Sequence, residues 1–235
     1  MHLRKTLTVA AAVLAAGLLG LTATANATGT PVGAPVSVIE VNGNATAGTV
    51  GIDGIFKSGS AAFAGSNYGC SGGTVSGTIA RGPVSAAADF SFTTMNITCN
   101  TPVGNATISV NSGCAVTADF PDQTVNTGLL DTGAGPKYYN VDGTATFPNI
   151  AAPGCVKVSA LGGLCSANVV GSGIGAQFNE ATKVVGGVTY QDLILNGTGS
   201  LLNQMGCLGL LTGTFTLNNI DFNVKATAGG TIDFR

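Results

Sequence analysis

Six cysteines carry the most evident chemistry in the chain: Cys70, Cys99, Cys114, Cys155, Cys165 and Cys207. Thiols can cross-link, hold a metal or act as nucleophiles. The spacing speaks against a metal. Structural zinc sites draw on close Cys or Cys/His pairs, whereas the nearest two cysteines here, Cys155 and Cys165, stand ten positions apart. The single histidine is His2, at the extreme N-terminus. The rest of the chain therefore has no imidazole for Ser-His-Asp or Cys-His catalysis, for metal ligation or for acid/base work near neutral pH. Cross-linking is the expected chemistry, and no cofactor, metal or catalytic residue is expected. An even count in an exported chain implies three disulfides. Spacing suggests Cys99–Cys114 and Cys155–Cys165 as hairpin-closing bridges, which leaves Cys70–Cys207. One consequence does not depend on the pairing. A cut anywhere from Ala115 to Gly154 leaves three cysteines on each side. If all six are oxidised within one molecule, at least one bridge must span that cut, so residues 28–235 are expected to form one domain.

The acidic residues offer less. Leu129-Leu130-Asp131-Thr132-Gly133-Ala134 resembles the active-site motif of aspartic proteases, especially the retroviral kind. The resemblance covers six residues and implies an Asp that shares a proton with a second Asp and activates water. A single-chain enzyme needs a second such loop, which is absent; a homodimer would supply it in trans. Read from its residues alone, the segment is a polar turn, and the expectation is a non-enzyme. The remaining acids are scattered singly, so nothing selects a glycosidase-like pair. Gly171, Gly173 and Gly175 lack the strand-turn-helix context of a phosphate loop.

Residues 1–27 have the layout of a secretory signal: basic Arg4 and Lys5, an apolar run from Leu7 to Leu21, and a small-x-small site at Ala25-Asn26-Ala27. Its style is bacterial, and the expected location is extracellular or at the cell surface. Beyond residue 27 there are seven basic residues against eleven acidic ones, a net charge of −4 with no basic cluster. Nucleic acid is therefore not an expected partner. Four Asn-x-Thr sequons read as strand and turn polarity.

The elements that must position these residues are strands. Charged residues are 9% of the chain, apolar residues 45%, and glycines number 36. Such a composition suits short strands and tight turns rather than disorder. The fold class expected is all-β: one disulfide-stapled antiparallel β-sandwich or barrel of about ten or more short strands, after a mobile arm at residues 28–35. The clearest stretch is Leu208 to Val224. Phe215 and Leu217 share one parity, Ile220, Phe222 and Val224 the other. A one-residue slip moves a strand's apolar set to the wrong face, so a two-residue turn at Asn218-Asn219 is expected, with Phe215 opposite Phe222. One strand bulged at the Asn pair is the alternative. A similar shift from Phe90 and Phe92 to Met95 and Ile97 predicts a bulge at Thr93-Thr94. The segments 89–99, 106–110 and 114–120 read as a meander, Arg81-Gly82-Pro83 as a turn, 177–183 as the one helical turn or a loop, 155–160 and 164–170 as a hairpin, and 231–234 as an edge strand.

Function is expected to lie in surfaces. Edge strands are normally guarded by charge, and Leu208, Leu210, Leu211, Phe215 and Leu217 belong to an uncharged segment of self-pairing composition; the alternative is that Leu208 to Val224 is simply core. The leading expectation is a secreted, non-catalytic structural or surface protein that adheres, coats or forms fibres as a homo-oligomer by edge pairing. The rival is a binding module for an apolar small molecule or lipid, lined by Leu129, Leu130 and the region from Leu201 to Leu211.

Overall fold

The computed structural model describes residues 38–63, 65–84, 88–120, 125–126, 140–149, 154–207, 211 and 213–234. The expected signal at residues 1–27, the expected arm at 28–35, the Asp131 motif with Leu129 and Leu130, and Leu208 and Leu210 lie outside the described residues. The chain is all-β and antiparallel. Among the described residues the strands number thirteen: β1 (Val38–Val41), β2 (Gly48–Phe63), β3 (Ser66–Pro83), β4 (Phe90–Thr101), β5 (Gly104–Val110), β6 (Val116–Asp119), β7 (Val125–Asn126), β8 (Asn140–Phe147), β9 (Val156–Ala160), β10 (Cys165–Val185), β11 (Val188–Met205), β12 (Thr214–Ala226) and β13 (Ile232–Phe234).

Pairing closes the sheet into a ring. β3, β2, β12, β11 and β10 follow one another, each hydrogen-bonded to the next, and β4 pairs with the other side of β3. The gap between β10 and β4 is filled twice. At one end β9 and β5 bridge it, with Val158 opposite both Ala167 and Ile108. At the other end β8 and β6 do so, with Ala145 opposite both Ile174 and Ala118. Either route gives eight strands around the barrel. Closure removes the free edges that an open sheet leaves.

Most of the described inward positions are apolar. Phe90, Phe92, Ile97, Phe178, Leu193, Phe215, Leu217 and Phe222 are all buried. Each contributes about 1.5–3 kcal/mol by leaving water. Two bulges keep this possible. In β4 the register slips at Thr93, between Ser76↔Thr94 and Gly77↔Phe92, which puts Phe90, Phe92, Met95 and Ile97 all inside. In β12 the Asn pair forms a bulge and not the expected turn. Asn218 pairs with Ser60 and Asp221 with Ser58, so Asn219 and Ile220 together face Gly59. Asn219 takes a left-handed φ of 49°, which Asn tolerates. Phe215 consequently lies opposite Phe63 and Gly199, and Phe222 opposite Phe56 and Leu193. A glycine backs each bulge: a Cβ at Gly59 would come within 2.5 Å of the Asn219 carbonyl oxygen, and one at Gly77 within 2.0 Å of that of Ser91.

Other expectations need correcting. Arg81–Pro83 is not a turn; β3 runs through it and pairs there with β1. Residues 177–183 are strand, because β10 runs unbroken through them. The segments expected as a meander divide: β4 and β5 form a hairpin, but β6 pairs with the opposite half of β4. The β9–β10 hairpin forms, joined by a 3-10 turn at Leu161–Gly163. β13 is an edge strand, paired with β1. It closes one barrel end, where the Phe234 ring lies 5.3 Å from Phe178, 5.4 Å from Phe120 and 6.3 Å from Phe90.

Both bridges observed differ from the expected pairing: Cys70–Cys99 and Cys165–Cys207. Register is the reason. In a hairpin, residues equidistant from the turn face each other. Cys99 faces Ala106 in β5, which keeps it from Cys114, while across β3 it faces Cys70. Val156 faces Val169, so Cys155 sits at the far end of β9 from Cys165. Cys165 begins β10 beside Ser166, whose partner is Met205, and this brings Cys207 alongside.

Candidate functional site

The longest hairpin, β10–β11, outruns its neighbours. β8 leaves β10 at Asn140↔Asn179, and β12 leaves β11 at Gln191↔Val224. Beyond those points the two strands pair only with each other among the described residues, as Lys183↔Tyr190, Val184↔Thr189 and Val185↔Val188. Gly186 and Gly187 make the turn with φ of 59° and 81°. Two left-handed residues match the twist of a two-residue hairpin. Residues 182–189 are exposed, including Val184 at 67%. In this geometry Val185 and Val188 bond to each other, and the next pair, Val184 and Thr189, turns its N–H and C=O groups outward. Among the described residues the hairpin thus forms a finger with both edges unpaired.

Its root is fixed by buried polar groups. Between Asn179 and Lys183 the register shifts, and Asn179 Oδ1 accepts a hydrogen bond from the Ala181 N–H at 2.8 Å. A bulge here re-aims the strand. It turns Glu180 inward, where its carboxylate accepts from the Phe234 N–H. Gln191 accepts from the Ile232 N–H at 2.7 Å and donates to the Ile232 and Glu180 carbonyls. Finger root and barrel end are therefore one hydrogen-bonded unit, which satisfies backbone groups that burial would otherwise leave unpaired.

Close to the root lies an ion cluster on β2, β11 and β12. Lys57 Nζ is 2.7 Å from both Asp192 Oδ2 and Asp221 Oδ2. Burial opposes the charge on Lys57, but the hydrogen bonds to the two carboxylates outweigh it and raise its pKa. Burial likewise pushes Asp221 up, and Lys57 pulls it back. Asn223, buried, sits opposite Asp192. A third buried acid, Asp89, ties strands at the closed end. Its Oδ2 accepts from the Phe120 N–H and its carbonyl from the Ala80 N–H, both at 2.7 Å. Burial pushes its pKa up to about 6. An open groove of about 470 Å³ crosses the wall, lined in part by Thr146, Ser172, Thr198, Ser200 and Thr214. Its hydroxyls offer hydrogen bonds without charge.

Leu211, Phe215, Leu217, Ile220, Phe222 and Val224 are buried. β12 is flanked by β2 and β11, so its described residues present a paired strand. Four cysteines are bridged, and Cys114 and Cys155 are not. Two disulfides suit an oxidising, extracellular-type environment. Among the described residues no helix is long and apolar enough to cross a membrane. The finger and the Lys57 cluster escaped sequence reasoning. Val-Val-Gly-Gly-Val is a recognisable hairpin signal, but nothing local says that the hairpin outruns its neighbours. Asp192 and Asp221 are far apart in sequence and meet only through register.

No family model matches the chain, and no curated protein matches it. Among solved structures it is similar to DynF from the dynemicin biosynthesis pathway of Micromonospora chersina, at 15% identity and a TM-score of 0.38, over 87% of this chain and 89% of that one. A likeness at that level carries no functional argument.

Proposed function

We propose that the chain is an exported, non-catalytic surface protein of bacterial type, which adheres, coats or forms fibres by β-strand edge pairing between copies, and that the β10–β11 finger is the pairing element. The observation that carries this reading is that both edges of the finger are unpaired among the described residues, with three exposed valines and Lys183 as the only charge along residues 182–189. Unpaired strand edges recruit further strands unless charge, proline or cover prevents it. The buried apolar side chains inside the described part of the barrel support a protein that works at its surface.

Val184→Pro is the direct test. Its N–H faces outward, so proline removes a donor from the open edge and leaves the hairpin's own ladder complete. Multi-angle light scattering of the mature protein across a concentration series is expected to show growing assemblies. The Val184→Pro variant is expected to stay monomeric with an unchanged melting temperature. A wild-type protein that remains strictly monomeric and binds no surface would overturn the reading.

A further inference from the structure

The two unbonded thiols, Cys114 and Cys155, are held together by the backbone around them. Val110 pairs with Val156, which brings the end of β5 beside the start of β9. Asn111 then organises the junction. Its N–H donates to the Cys155 carbonyl at 2.8 Å, its carbonyl accepts from the Cys114 N–H at 3.1 Å, and its side-chain Nδ2 donates to the Gly154 carbonyl at 2.8 Å. The Cys155 thiol donates to the Ala115 carbonyl at 3.7 Å and also hydrogen-bonds the Cys114 side chain. Cys155 is buried and Cys114 half-buried.

The two formed bridges leave a gap that this pair would fill. Cys70–Cys99 lies wholly before residue 115 and Cys165–Cys207 wholly after residue 154. Neither ties the two halves of the chain together covalently, although β3, β4 and β5 of the first half and β9 to β12 of the second share one barrel wall.

We infer that Cys114 and Cys155 are oxidised to a third disulfide in the exported protein, and that it is the one covalent link between the two halves. The oxidant is a disulfide-bearing thiol oxidoreductase, or oxidised glutathione in vitro. The thiolate of Cys114, the more accessible sulfur, attacks the oxidant's disulfide and expels one of its sulfurs as a thiolate. Cys155 then loses its proton and attacks the Cys114 sulfur, which expels the second thiolate. The pair gives up two electrons and two protons, and the oxidant's disulfide becomes two thiols. Burial and the neighbouring Cys114 push the Cys155 thiol up to about 12, so the first attack falls to the more accessible Cys114.

Wild-type protein purified after export, denatured without reductant, alkylated and digested decides this by mass spectrometry. The expected result is a peptide pair joined through Cys114 and Cys155, with neither thiol alkylated. Alkylation of both, or either one joined to another cysteine, overturns it. Cys114→Ser, Cys155→Ser and the double variant supply a second readout. With the bridge present, all three lose the same cross-link and melt at about the same lowered temperature; drops that add in the double variant count against it. If the variants do not fold, the wild-type map decides alone.

Discussion

Thr214–Ala226 and residues 182–189 of the β10–β11 hairpin are both strand-forming stretches with two threonines, β-branched apolar residues and a single lysine each, and end in opposite surroundings. β12 lies between β2 and β11, with Phe215, Leu217, Phe222 and Val224 buried. The finger has no outer partner on either side among the described residues, and residues 182–189 are exposed. Both segments have the β propensity of a self-pairing strand. Composition therefore identifies strands that are able to pair onward, and topology decides which of them has an edge left to offer.

The contrast can be broken most strongly at β12. Phe222 lies between Phe56 and Leu193, with the Phe56 ring edge-on at 6.2 Å. Phe222→Ala is expected to cost about 3–5 kcal/mol in urea unfolding, while Val188→Ala at the finger changes stability by less than about 0.5 kcal/mol. Equal costs would mean that the finger is covered.

The ion cluster near the finger root comes next. Lys57→Ala leaves Asp192 and Asp221 without their shared cation, and a loss of about 1.5–3 kcal/mol is expected. Asp221→Asn in the same background should restore part of it, since one of two facing carboxylates is then neutral. Equilibrium denaturation of the single and double variants measures the coupling; no recovery would mean that Lys57 contributes packing rather than charge.

The third test is a pH slope. Asp89 rises from its ordinary 3.8 to about 6 in the folded chain. Above about pH 6 both states carry the carboxylate, and burial penalises it in the folded one. As pH falls from about 6 toward 3.8, the folded chain takes up a proton that the unfolded chain does not, so stability rises over that window and levels below it. Asp89→Asn should flatten this contribution in melting curves recorded from pH 7 to 4. An unchanged slope would place the titration elsewhere.

The legibility of the fold divides along similar lines. Both parity shifts, at Thr93-Thr94 and at Asn218-Asn219, could be seen as places where a straight strand fails. That the second is a bulge and not a turn depended on β2 offering Gly59 opposite it, far away in sequence. The cysteine count pointed to bridges, but their pairing followed register, since Cys70 meets Cys99 only because β3 and β4 are neighbours. Glu180 and Gln191 gave no signal, because their partners are backbone groups of β13 some forty or more residues on.

By itself the sequence determined the all-β antiparallel class and the cross-linking chemistry. Alternation with a period of two is a property of adjacent residues, and a thiol's reactivity belongs to its own side chain. Only the tertiary structure decided which strand edges are covered, which carboxylates share a lysine and which sulfurs meet. Those outcomes depend on ring closure between strands distant in the chain, such as Val110 against Val156 and Phe222 against Phe56, and no local pattern encodes where a sheet closes on itself.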